Sequence, residues 1–197
     1  MTSVFFDLET AGLTEKHPNI QIAAVAVDSN WNELGTFERK IKFDSAKADR
    51  EALALNSYNA DIWQSEAVDE YKACMDFADF LNPYRCLMMT SRRTGKPYTV
   101  ALLVGHNAAT FDGPRLQLMF KHHNMFLPAD PRVRCTAQKA MDFFDCRQIQ
   151  PKSYRLSDLC EHFGISVVGA HDALCDARLT VALAKKLRQE MGVSITA

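Results

Sequence analysis

The run Val4-Phe5-Phe6-Asp7-Leu8-Glu9-Thr10 sets two carboxylates, two residues apart, into an apolar N-terminal segment. Val4 to Leu8 reads as a buried strand. Strand residues i and i+2 share a face, so Asp7 and Glu9 project side by side. Like charges that close raise each other's pKa. A divalent cation between them removes that cost, and hard carboxylate oxygens suit Mg²⁺ or Mn²⁺. An Asp-x-Glu pair occurs by chance in many chains, so the chemistry requires further ligands and a base elsewhere.

The segments that follow set the fold class. Ile20 to Val27 is apolar and β-branched and reads as a central strand. Asp28-Ser29-Asn30 is a turn, and Trp31 to Phe43 reads as a third, longer strand, completing an antiparallel meander. Ser45 to Leu81 is helical in character, broken near Asn56-Ser57-Tyr58, with Ala73, Phe77, Phe80 and Leu81 on one face. Leu87–Met89 and Tyr98–Val104 are β-prone runs joined by the basic turn Ser91-Arg92-Arg93-Thr94-Gly95-Lys96-Pro97, a hairpin or extended loop. Helices are expected over Pro114–His122, with Asp112 or Gly113 near its cap, and over Cys135–Phe144. Two more are expected over Leu156–Phe163, ended by Gly164, and over Asp172–Met191, ended by Gly192. Strands in front and helices interleaved behind make an α/β domain with a mixed sheet.

The 197 residues fit one domain, 1–197, with a sizeable core. The formal net charge is -1, so no global basic field marks a nucleic-acid binder. Binding of a polyanion must then rest on local patches or metal ions. Met1-Thr2-Ser3 lacks a basic n-region and Asp7 and Glu9 interrupt the apolar run, so no signal peptide is expected. No apolar stretch approaches the ~20 residues that span a bilayer. The six cysteines form no C-x-x-C pair and read as reduced thiols of a cytoplasmic protein with no membrane partner.

Three segments carry chemistry: Asp7-Leu8-Glu9-Thr10, Gly105-His106-Asn107 through Phe111-Asp112, and His171-Asp172 through Asp176. Asp176 falls about one turn into the last helix, and His171 on the loop before it. Four carboxylates and one imidazole fit a two-metal phosphodiesterase site, in which two cations about 3.5–4 Å apart clamp the attacking and leaving oxygens. A histidine, with a pKa near 6.5, accepts the proton of the attacking water near neutral pH.

These segments resemble the DnaQ-like, or DEDDh, 3′→5′ exonucleases over nearly the whole chain. Phe5 through Leu13 is similar to the first exonuclease motif, and Leu103-Val104-Gly105-His106-Asn107 through Phe111-Asp112 to the second. Ser153-Tyr154-Arg155-Leu156-Ser157-Asp158-Leu159-Cys160, then Gly164-Ile165, Ala170-His171-Asp172-Ala173 and Asp176, is similar to the third. Three residues separate Asn107 from Phe111-Asp112, a spacing similar to that of the three-prime repair exonucleases, which degrade DNA ends. Ser57 stands where many members have glycine.

The resemblance implies an RNase H-like mixed β-sheet flanked by helices and two Mg²⁺ (or Mn²⁺). It also implies roles for individual residues. Asp7 bridges both metals, Glu9 and Asp176 hold the metal that activates water, Asp112 supports the second metal, and His171 is the general base. Thr10, Ala11 and Gly12 offer backbone groups to the 3′-terminal nucleotide, Leu13 wedges against its base, and Asn107 lies beside the substrate or braces its loop. The implied partner is a nucleic acid with a free 3′ end, single-stranded DNA favoured. An oligoribonuclease-like RNA exonuclease and a catalytically silent end-binding module are the alternatives.

Plainer readings stand beside these. Asp112 also suits a helix cap. Arg92, Arg93 and Lys96 are either phosphate contacts or a solvated hairpin tip. His106 reads as a packing and hydrogen-bonding residue, and Trp31 and Trp63 as core or half-buried.

Overall fold

The computed structural model describes residues 1–56, 58–168 and 172–192. β1 (Ser3–Thr10), β2 (Asn19–Val27) and β3 (Glu33–Lys40) form the expected antiparallel meander. The third strand is shorter than its apolar pattern implies. Asp28 accepts hydrogen bonds from the Asn30 and Asn32 backbone N–H groups, and Trp31 takes a left-handed φ of 69°. The turn therefore extends to Asn32, and pairing begins at Glu33.

β6 (Leu103–Gly105) runs parallel to β1, and β7 (Arg134–Cys135) parallel to β6, giving a five-stranded sheet in the order β3-β2-β1-β6-β7. The Tyr98–Val104 run divides between two sheets. β4 (Arg85–Thr90) and β5 (Pro97–Ala101) form a separate hairpin, and only the end of the run enters the main sheet. The apolar pattern is continuous across Leu102, so it does not mark where one sheet ends.

The segment from Ser45 to Leu81 breaks twice. α1 (Arg50–Leu55), α2 (Ala60–Glu66) and α3 (Glu70–Leu81) each start at a side-chain cap, from Asp49, Asn59 and Asp69 respectively. The expected break near Asn56-Ser57-Tyr58 falls between α1 and α2, with Ser57 itself outside the described residues. α4 (Asp112–His122), α5 (Thr136–Arg147), α6 (Leu156–His162) and α7 (Ala173–Glu190) follow.

β1 and β2 are covered on both faces, which is why β2 is buried at all nine positions. Phe6, Ile22 and Ala24 pack with Phe77 and Leu81 of α3 and Leu116 and Phe120 of α4. On the other face Phe5 and Val25 pack with Ala177 and Ala184 of α7. The two alanines let α7 lie close to the sheet, and a larger side chain there would overpack it. Phe143, Phe144, Leu159, Leu183 and Leu187 join α5, α6 and α7 into a second core. Each large apolar side chain so buried contributes about 1.5–3 kcal/mol. Asp7 and Glu9 share the strand face of Phe5, so they look toward α7, at the carboxyl end of β1.

Candidate metal centre

Carboxylate oxygens of Asp7, Glu9 and Asp176 all lie within 4.8 Å of one another. β1 supplies the first two through its period of two, and the first turn of α7 supplies the third. Past Glu9 the β1–β2 register shifts, pairing Glu9 with Gln21 and Thr10 with Asn19. The shift skips Ile20 of β2 and falls beside the acids, where such irregularities are common.

Asp112 reaches the cluster from α4. It is only 5% exposed, and the backbone N–H groups of Leu8 and of Asp112 itself favour its charged form. It is not the helix cap: the helix begins at Asp112 itself, and the residue before it, Phe111, makes no side-chain cap bond. Leu8 lies past the last β1–β6 pair, Phe5–Val104, so Asp112 occupies the gap where the strands part. Gly105 permits the close packing just before that gap, since a Cβ there would sit 2.4 Å from Ala108 Cβ and 3.0 Å from the Phe6 carbonyl.

The electrostatics are those of a site built for a cation. Burial pushes the Asp7 carboxyl well above the usual carboxylate range, and the charges of Asp112, Glu9, Asp176 and Asp172 push it further. Burial, then Asp176, Asp172 and Asp112, push Glu9 up to about 7. Burial lifts Asp112 to about 7, against the two N–H groups and the Arg115 guanidinium, which pull it down. Close carboxylates raised by mutual repulsion fit a hard divalent ion, which would favour the ionised forms. Asp7, Glu9 and Asp176 would hold it. Asp112 lies outside that close set, and its charge is the largest of those acting on Asp7. His171 lies outside the described residues.

Asp172 and Gln21 are not singled out by the sequence as site residues. Asp172 caps α7 through the Cys175 N–H and adds its charge to the cluster. Gln21, opposite Glu9, donates to Glu38 at 3.0 Å and to Asp172 at 3.4 Å. Asp172 carries a signal, as a helix-start acid beside the third motif; a glutamine in an apolar strand carries none.

A cleft of about 520 Å³ opens beside Asp176, with His106, Asn107, Tyr154 and Arg155 in its wall. His106 is the bonding residue expected. Its Nε2 donates to the Tyr154 carbonyl at 2.8 Å, which leaves Nδ1 to accept from the Thr136 hydroxyl at 2.9 Å. Burial lowers its pKa, consistent with that neutral form. Asn107 takes a left-handed φ of 56°, and its carbonyl accepts from the Thr110 and Phe111 N–H groups. It braces the loop that leads into Asp112.

The strand-end residues make several bonds within the protein. The Ala11 N–H donates to the Pro18 carbonyl, and the Ala11 carbonyl accepts from the Asp49 N–H, so its backbone is engaged inside the protein. The Thr10 carbonyl accepts from the Asn56 side chain at 2.8 Å, and the Thr10 hydroxyl donates to the Gly12 carbonyl at 2.9 Å. Leu13, by contrast, stands 85% exposed beside the site. Side-chain pattern does not tell where backbone bonds go, and here they build the turn.

Arg92, Arg93 and Lys96 occupy the turn of the β4–β5 hairpin, with no ion-pair partner among the described residues. The chain runs from this turn along β5 and β6 toward Gly105, so the hairpin tip is not among the acids. It flanks a groove walled by Met89, Tyr98, Phe126 and Pro131.

Residues 98–184 match the RNase_T family model, described as an exonuclease. No match was found among curated protein sequences. The fold is similar to E. coli exonuclease I in complex with a dT13 oligonucleotide, with a TM-score of 0.74 and 19% identity over 97% of this chain and 42% of that one. It is equally similar to the product-bound structure of exonuclease I, with a TM-score of 0.74 and 18% identity over 97% of this chain and 44% of that one. A zinc-bound E. coli ExoI–ssDNA complex matches with a TM-score of 0.74 and 19% identity, over 97% of this chain and 41% of that one. The chain thus spans about two fifths of the exonuclease I chains it matches. The likeness to exonuclease I shows the fold, an RNase H-like mixed sheet flanked by helices, and the exonuclease family match covers less than half of the chain. No helix among the described residues is long and apolar enough to cross a membrane.

Proposed function

We propose that the protein is a metal-dependent 3′→5′ exonuclease that releases nucleoside 5′-monophosphates from single-stranded or frayed 3′ ends, with DNA favoured. The observation that carries this is the convergence of Asp7, Glu9 and Asp176 within 4.8 Å, in a chain whose residues 98–184 match an exonuclease family. Asp7, Glu9 and Asp176 would hold one Mg²⁺ or Mn²⁺, and Asp7 with Asp112 a second. Bound there, such ions lower the pKa of an attacking water and neutralise charge building on the scissile phosphate.

The chain's own groups supply the rest. His171, five residues before Asp176, takes the proton of the attacking water. The strand end enters the cleft beside Asp176, where Arg155 offers a cation to its phosphates. Leu13 packs against the terminal base. Arg92, Arg93 and Lys96 contact phosphates further along the strand. The preference for DNA is supported by the three-residue spacing after Asn107 and by the oligodeoxynucleotides held in the similar exonuclease I structures.

A panel of DNA and RNA oligonucleotides, labelled at either end, tests the reading in Mg²⁺. Mononucleotide release from the 3′ end of DNA is the expected result. Faster turnover of short RNA moves the assignment to an oligoribonuclease-like activity, and tight binding of ends without turnover in Mn²⁺ moves it to a silent end-binding module.

A further inference from the structure

We infer that Arg115 is a positioning residue for the terminal nucleotide: a buried guanidinium that locks the loop carrying Leu13 to the helix carrying Asp112. This rests on the exonuclease reading above and adds a residue that none of the three motifs contains.

Arg115 is 6% exposed, three residues into α4 from Asp112. Its Nη2 donates to the carbonyls of Thr14 at 2.6 Å and Gly12 at 3.4 Å, and its Nη1 to the His17 carbonyl at 3.1 Å and Asn19 Oδ1 at 3.4 Å. Its other face lies over the Phe111 ring, 4.5 Å from the centroid. No carboxylate receives a hydrogen bond from it among the described residues. Burying an arginine without a bonded acid is costly, and the cost is offset here by three carbonyls of one loop and the Asn19 side chain at the start of β2.

That loop has little else to stabilise. Leu13, Thr14, Glu15 and Lys16 are all exposed. Its shape is nonetheless closely specified. Gly12 has a φ of 149°, and a Cβ there would sit 2.4 Å from the His17 ring. His17 Nδ1 in turn accepts from the Thr14 N–H at 3.2 Å. A chain segment whose carbonyls converge on a buried cation, while its leucine points to solvent, is preorganised for a contact outside itself. Preorganisation of this kind reduces the ordering cost when a partner binds. Because the same side chain sits one helical turn from Asp112, loop and metal centre share one brace.

The test compares wild type, Arg115→Lys, Leu13→Ala and the double variant on a short DNA oligonucleotide in Mg²⁺. Lysine keeps the charge but lacks the planar fork that reaches four acceptors. Arg115→Lys and Leu13→Ala are each expected to raise KM about tenfold with a smaller change in kcat, and the double variant to be no worse than the worse single one. Additive losses, or Arg115→Lys at wild-type KM, overturn the assignment. Hydrogen exchange supplies the second readout: amides 12–17 should exchange faster in Arg115→Lys, with those of β1 unchanged. Faster exchange throughout the domain marks a purely structural arginine and overturns the proposal. If Arg115→Lys does not fold, His17→Ala loosens the same loop from outside, and the same non-additivity with Leu13→Ala decides. A wild type without turnover fails the exonuclease reading instead, and the clamp is then judged by the exchange pattern alone.

Discussion

The Leu8 N–H favours the charged form of the Asp112 carboxylate, linking the central strand to α4 beyond the last β1–β6 pair. Asp112 thus has two functions that substitutions separate. Asp112→Asn keeps an acceptor for Leu8 and loses the charge, so it should fold with at least wild-type stability in EDTA and lose nuclease activity. Asp112→Ala also leaves a buried N–H without its partner, which costs about 1–3 kcal/mol. Urea denaturation of the two metal-free variants checks this. Equal stability of the alanine and asparagine forms would remove the structural part of the assignment.

The raised carboxyls predict an uncommon pH dependence. Glu9 and Asp112 titrate near 7 in the folded chain, against 4.5 and 3.8 ordinarily, and Asp7 is raised as well. The folded state therefore binds more protons than the unfolded state between these limits, and stability falls as pH rises through that window. In EDTA the protein should be less stable at pH 8 than at pH 5, by an amount on the order of 5 kcal/mol. Divalent cation should restore it, and its binding should tighten up to about pH 7 as protons leave Glu9 and Asp112. Denaturant midpoints at both pH values, with and without Mg²⁺, measure this. A metal-free protein more stable at pH 8 would contradict the repulsion.

How much of this is legible in the sequence depends on the range of the interaction. The pairing of Asp7 with Glu9 follows from the strand period, and the position of Asp176 from the start of α7 at a capping aspartate, so local rules find both. Asp112 is visible as an acid before a helix, but its link to Leu8 joins residues more than a hundred positions apart and has no sequence signature. Arg115 escapes for the same reason: on α4 it looks like a surface cation, and only the folded loop brings the Gly12, Thr14 and His17 carbonyls to it. The run over Tyr98–Val104 reads as β-structure with one role where it has two, because apolar runs do not record which sheet they join.

The hairpin cations give a length-dependent prediction. Arg92, Arg93 and Lys96 lie at the far end of β5 from the acids, beside Tyr98 and the 62%-exposed Phe126. If they hold phosphates, replacing all three by alanine should raise KM about tenfold on long single strands and leave di- and trinucleotides unchanged. The logarithmic salt dependence should also weaken, by up to about 0.7 for each phosphate that the variant no longer neutralises. Identical KM values for long substrates in wild type and triple variant would assign this turn to solvent.

His171 and Asp7 should fail in different ways. Asp7 belongs to the close carboxylate set, so Asp7→Ala should abolish both nuclease activity and the thermal stabilisation by Mn²⁺. That stabilisation is expected to reach about 2.7 kcal/mol at a hundred times the dissociation constant. The same substitution relieves repulsion in the metal-free protein, whose melting temperature in EDTA should rise. His171→Ala removes the proposed base without touching the carboxylates, so it should keep the Mn²⁺ shift and lose about 10²–10⁴ in kcat. Its residual rate should rise with pH, because hydroxide becomes more abundant where no imidazole takes the proton. A His171→Ala enzyme with wild-type kcat at neutral pH would transfer the base to another group, and one without the Mn²⁺ shift would place the histidine with the metal ligands.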